Sequence, residues 1–255
     1  MKKALLSFAL LLSCMMMTLM SCDKELTLEE RIAEEENQLT DEEKSLLHQT
    51  PAYGFEGEDF SQMRQEVWDA YTNETVYGWH ITKDGQGFVT CVEFDDITQK
   101  QPPVDGKAFF AKFFSEEVAA KFVRVYYDYR PSNYEDYVLY CGDLVVSSFI
   151  FEYDAQGIMR RAQGGYYPID GLNPNPNISS YLARMILASY LGKSVKEIHE
   201  KVPLSFVLIP QATHFVPTLV YHPQGKNVHG PGVGDWVAWV DAHTGRLLTV
   251  SFGSI

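Results

Sequence analysis

Residues 122–167, FVRVYYDYRPSNYEDYVLYCGDLVVSSFIFEYDAQGIMRRAQGGYY, decide the fold class. Aromatic and β-branched residues fill the stretch, and such side chains suit the pleated, half-buried surface of a sheet. Strands are predicted over residues 123–130, 137–140, 144–153 and 158–163. Between the last two, Asp154-Ala155-Gln156-Gly157 reads as a turn, because Asp bonds its own backbone and Gly accepts positive φ. No helical period interrupts the run. Parallel strands need long crossovers, so strands that follow one another directly imply antiparallel sheets and the α+β class.

Toward the C-terminus, Asn173-Pro174-Asn175-Pro176-Asn177 stops regular structure. Residues 178–191, ISSYLARMILASYL, form the clearest helix, with Gly192 as its cap, and a second short helix is predicted over 194–200. Strands follow over 204–209, 218–221, 236–240 and 247–252. Toward the N-terminus, residues 105–121 read as one helix whose Phe109, Phe110, Phe113 and Phe114 enter the core. Strands over 75–81 and 88–94 form a hairpin around residues 83–87. Residues 60–72 place Phe60, Met63, Val67, Trp68 and Tyr71 on one helical face. Tyr126, Tyr127, Tyr129, Tyr134, Tyr137, Tyr140, Tyr166 and Tyr167 are expected mainly in the β core; exposed, such rings could stack on sugars or a protein partner.

The 255-residue chain opens with Lys2-Lys3 and an apolar run, residues 4–20, too short and wrongly flanked for a membrane span. It leads into Leu19-Met20-Ser21-Cys22, which resembles the lipobox of bacterial lipoproteins. That resemblance implies a signal peptide over 1–21, cleavage before Cys22, a lipid on its thiol, and attachment to the cell envelope. Leu11-Leu12-Ser13-Cys14 fits the same pattern, but only Cys22 is followed at once by polar sequence. Residues 22–58 are acidic. Thr27 with Glu30 and Thr40 with Glu43 have the spacing of capping boxes, and the segment reads as a tether with short helices.

The chain carries 34 acidic against 21 basic residues, a formal charge of −13. Phosphate backbones require a basic surface, so nucleic acid is excluded as an expected partner. Cys91 and Cys141 lie in strand-like stretches of an exported chain; they could pair as a disulfide or remain two buried thiols. His199-Glu200-Lys201-Val202-Pro203 begins like a zinc-protease helix, but its fifth residue is Pro instead of the second His. His214, His222, His229 and His243 follow no ligand spacing, and the glycines of 225–234 lack the Lys-Ser/Thr of a phosphate loop. No catalytic residue, metal or cofactor is therefore expected, and no oligomeric state can be read.

Residues 121–252 resemble two linked modules of thermolysin-type protease propeptides. The first is similar to the fungalysin/thermolysin propeptide motif through Phe122-Val123-Arg124-Val125-Tyr126-Tyr127, Cys141-Gly142-Asp143-Leu144-Val145-Val146, the Asp154 turn and Gly164-Gly165. The second resembles a PepSY domain. Its most specific piece is the ending Val240-Asp241-Ala242-His243-Thr244-Gly245-Arg246-Leu247-Leu248, in which Asp241, Thr244 and Gly245 build a tight structural turn. The chain departs from the first motif at Phe122 and Asp128, where the family has His and Gln. The resemblance implies two PepSY/cystatin-like units, spanning 59–170 and 171–255, each an antiparallel sheet packed with one or two helices. Such propeptides chaperone and cover a protease, and no protease domain is present here. The expected function is therefore non-enzymatic binding of an exported protease or other envelope protein in trans. Glycan or nutrient binding, and a structural envelope role, remain open beside it.

Overall fold

The computed structural model describes residues 26–53, 58–225 and 235–253. The signal segment, Cys22, His229 and the glycines after Gly225 in the 225–234 run lie outside the described residues. Both predicted capping boxes are formed. Glu30 accepts from the Thr27 amide at 2.9 Å and Thr27 from the Glu30 amide at 3.2 Å, which starts α1 (Leu28–Glu36). Thr40 and Glu43 do the same for α2 (Asp41–Lys44). α3 (Glu58–Asp69) follows.

β1 (Thr72–Val76), β2 (Trp79–Lys83) and β3 (Val89–Phe94) form an antiparallel meander. Residue type predicts a single strand over 75–81, but the chain reverses at Tyr77-Gly78. Both residues have positive φ, 56° and 77°, as a two-residue hairpin loop requires. Tyr seldom adopts that conformation, so Gly78 alone signals the turn. α4 (Gly106–Phe113) and α5 (Glu116–Lys121) replace one predicted helix. Ser115 divides them: its Oγ accepts from the Val118 amide at 3.1 Å and so caps a new helix.

β4 (Val123–Val125), β5 (Tyr134–Cys141), β6 (Leu144–Tyr153) and β7 (Met159–Gly164) come next. Antiparallel pairing of β3 with β7 joins both meanders into one sheet of order β1-β2-β3-β7-β6-β5-β4. α4 and α5 cover one face of it. Phe109, Phe110 and Phe122 are fully buried there against Phe149 and Phe151, and the Phe110 and Phe122 rings stack at 4.0 Å. Gly106 starts α4 hard against this face: a Cβ on it would lie 2.4 Å from the Tyr137 ring.

The second unit has α6 (Ser180–Leu191), capped by Ser179 and ended by Gly192 at φ +62°. A single 3-10 turn, Val195–Glu197, stands in place of the second predicted helix. β8 (Leu204–Gln211), β9 (His214–Tyr221), β10 (Gln224–Gly225), β11 (Asp235–Asp241) and β12 (Leu247–Gly253) make an antiparallel sheet. α6 packs Leu182, Ile186 and Leu187 against Leu219, Val240 and Val250.

The acidic segment, which reads as a tether in sequence, is docked on this unit. Leu39 and Leu47 enter the core beneath α6. Glu35 is 7% exposed and accepts from Ser194 Oγ at 2.5 Å and the Val195 amide at 2.8 Å. The Ala52 and Tyr53 amides donate to the carbonyls of Leu247 and Leu248, covering part of the β12 edge. Sparse leucines in a charged segment look solvated in sequence, because their core partners come from residues 182–250. α3 also crosses between units. Phe60 packs with Ile209, Val220 and Leu248, and Val67 sits with Cys141, Val146, Tyr167 and Phe215.

Candidate functional site

The Asp241 turn forms from its own side chain. Asp241 Oδ1 accepts from the amides of His243 and Thr244, each at 2.8 Å, and the Gly245 amide donates to the Asp241 carbonyl at 2.9 Å. Gly245 has φ +71°, and a Cβ there would meet Leu46 at 2.7 Å, so the turn also seats the N-terminal arm. Asp154 repeats the arrangement with the amides of Gln156 and Ile158, and Asp84 with those of Gln86 and Phe88. The bonds from Ile158 and Gln156, with Arg160 at 2.7 Å, hold the Asp154 carboxyl below the usual carboxylate range. These turns order hairpins and bring no catalytic groups together.

The structure keeps Cys91 and Cys141 apart as free thiols. Cys91 is on β3 and Cys141 on β5, with β7 and β6 between them. Three strand spacings of about 4.8 Å separate them laterally by about 14 Å, beyond the reach of a disulfide. Burial pushes the Cys141 thiol up. His199 lies in an extended stretch beyond the 3-10 turn rather than on a helix. His222 bonds Ser205 at 2.8 Å. Among the described residues, no group of three His, Cys, Asp or Glu converges on a metal-sized site.

Two surfaces could take a partner. The first is the β4 edge of the seven-stranded sheet, where β4 pairs with β5 alone among the described residues. The opposite edge, β1, is polar: Thr72, Asn73, Glu74 and Thr75 are exposed, and Glu74 pairs with Lys83 at 2.6 Å. Charged, polar edges discourage strand addition. β4 is different. Val123 is 50% exposed, and the chain runs on into Tyr126 and Tyr129, exposed at 79% and 76%. The Tyr127 and Tyr129 rings stack at 5.4 Å, and the Arg124 guanidinium sits 4.9 Å above Tyr126. Arg124 pairs with Glu135, and Arg130 grips Asp136 through Nε at 3.0 Å and a terminal nitrogen at 2.9 Å, so the loop has fixed anchors. Of the tyrosines expected in the core, Tyr137, Tyr166 and Tyr167 are buried, whereas these three are not. β4 lies beyond the cover of α4 and α5, and alternation cannot tell an edge strand from a central one.

The second surface is a cleft of about 560 Å³ between the sheets. Trp68 of α3, Tyr71 just beyond that helix, and Phe206 and Leu208 of β8 wall it, over a floor that includes Thr82, Cys91 and Gln163. Burial, with Asp84 in support, pushes the Tyr71 phenol up to about 12.

No family model matches the chain, and no curated protein matches it significantly. Among solved structures it is similar to the Bacillus megaterium YpeB C-terminal domain, at 13% identity and a TM-score of 0.30, over 76% of this chain and 97% of that one. A likeness this loose carries neither activity nor partner across.

Proposed function

We propose that this chain is a non-enzymatic, lipid-anchored protein of the bacterial envelope that binds an exported protein in trans. The carrying observation is the β4 edge, unpaired on its outer side among the described residues, beside three exposed tyrosines. An edge strand offers unpaired backbone groups to an extended segment, and flanking aromatic rings give such a segment apolar purchase at small entropic cost. The partner segment is therefore extended and rich in apolar residues. The propeptide and PepSY resemblance of residues 121–252 favours a protease as that partner, held in check or escorted in folding. Membrane attachment through Cys22 follows from the lipobox resemblance, and the described residues contain no helix long and apolar enough to cross a membrane.

The test uses residues 23–255 as bait against secreted and envelope proteins of the source cell, beside a Tyr126→Ala/Tyr129→Ala variant. One protein, retained by the wild type and lost by the variant, is the expected result; if it is a protease, its activity should change on binding. Identical captures by both baits would remove β4 as the binding edge. Acylation of Cys22 is checked separately by mass spectrometry of the membrane fraction.

A further inference from the structure

We infer that the cleft between the two sheets binds a neutral carbohydrate. It shares no residue with the β4 surface, so it is a second site and stands independently of the protein-binding reading.

The lining chemistry selects the ligand. Charged residues make up 22% of the chain, yet no Asp, Glu, Lys, Arg or His lines the cleft among the described residues. Phosphorylated, carboxylated or cationic ligands would enter such a site without a counter-charge, and desolvating an unpaired charge is costly. Arg161 stands near Cys91 from outside the lining, and it is already paired with Glu93 at 3.5 Å. A purely apolar ligand fits less well, because Thr82, Thr90, Ser148 and Gln163 put hydroxyl and amide groups into a lining shared with Val145 and Val146. Thr82, Cys91 and Gln163 stand in register across β2, β3 and β7. Ser148 and Gln163 add a hydroxyl and an amide to the lining.

The wall completes the match. Trp68 is 48% exposed although it packs at 4.7 Å on Tyr71 and 5.4 Å on Phe215. A large ring fixed by aromatic neighbours and left half open offers a flat apolar face, and a pyranose presents C–H bonds on its faces and hydroxyls at its rim. Aromatic walls with a few placed polar groups are the usual make-up of small-molecule sites, and about 560 Å³ suits a short oligosaccharide better than one ring.

Cys91 supplies the readout, since it lines the cleft and is partly exposed, whereas Cys141 is buried. The whole protein, in a detergent without sugar, is screened against neutral and charged oligosaccharides. Binding to neutral chains is expected, with Cys91 alkylation slowed at least fivefold by the bound glycan, as located by peptide mapping. Trp68→Ala should weaken binding at least tenfold, and Trp68→Phe should restore part of it, which separates stacking from a folding defect. Binding restricted to charged glycans, binding that leaves Cys91 alkylation unchanged, or no binding at all would each overturn the assignment.

Discussion

Replacing Glu35 by alanine should release the acidic arm from the second unit. The carboxylate accepts from Ser194 Oγ and the Val195 amide, and both donors are inaccessible, Ser194 at 0% and Val195 at 5% exposure. Hydrogen bonds to a charged group contribute about 1.5–3 kcal/mol each. Water can enter when the side chain is shortened, so the lower end applies, about 3 kcal/mol for the pair. The arm's remaining attachments include Leu39 and Leu47 in the core, Leu46 against Gly245, the Gln49 bonds to Gly245 and Leu247, the His48 bond to Ser189, and the Ala52 and Tyr53 amide bonds to Leu247 and Leu248. A loss of about 3 kcal/mol corresponds to roughly a hundredfold rise in the open population. Hydrogen exchange of residues 28–47, followed by mass spectrometry, should accelerate by about that factor while α4 and α5 stay protected. Glu34→Ala, on the exposed side of the same helix, is the control and should change little. Equal exchange in the two variants would refute the reasoning. In the proposed lipoprotein the consequence is positional. Four residues reach at most about 14 Å from Cys22 to Leu26, so a docked arm holds the body close to the bilayer and a freed one does not.

Phe110→Ala should cost about 3–5 kcal/mol, because the ring is fully buried among Phe122, Tyr137, Phe149 and Phe151; the midpoint of urea unfolding reads this. In the native protein Cys91 should react with a thiol reagent and Cys141 only after denaturation, and a non-reducing peptide map showing the two linked would contradict the sheet order. Burial holds the His222 imidazole below its ordinary pKa near 6.5, so protonation favours the unfolded chain. Its contribution is therefore present above about pH 6.5 and lost as pH falls from there toward the lowered folded value. His222→Gln should shrink the drop in urea midpoint between pH 7.5 and 5.5, and an unchanged drop would assign it to other groups. Tyr126→Ala with Tyr129→Ala should leave stability within about 0.5 kcal/mol, since both rings are exposed, and a larger loss would mean the loop is part of the core after all.

Whatever depends on bonds between near neighbours is legible in the amino-acid sequence alone. The Thr27 and Thr40 capping boxes, the Gly192 cap of α6, and the Asp84, Asp154 and Asp241 turns all close within five residues. The antiparallel α+β class follows from strands that succeed one another without a crossover. Features set by who lies beside whom are not legible. Residue type alone cannot show that β3 pairs with β7, which is what keeps Cys91 and Cys141 apart. Nor can it show that Glu35 finds Ser194, or that α3 packs on the sheet farther along the chain. Of the two candidate surfaces, the tyrosines are visible as a group, but their division into core and surface depends on where α4 and α5 stop covering the sheet. The cleft has no signal at all, because its residues come from α3, four strands of the first sheet and β8, separated by stretches that carry no common spacing. Local sequence sets short-range hydrogen bonds and the period of burial, whereas long-range pairing is decided by how large apolar faces exclude water together, and that sum is over the whole chain.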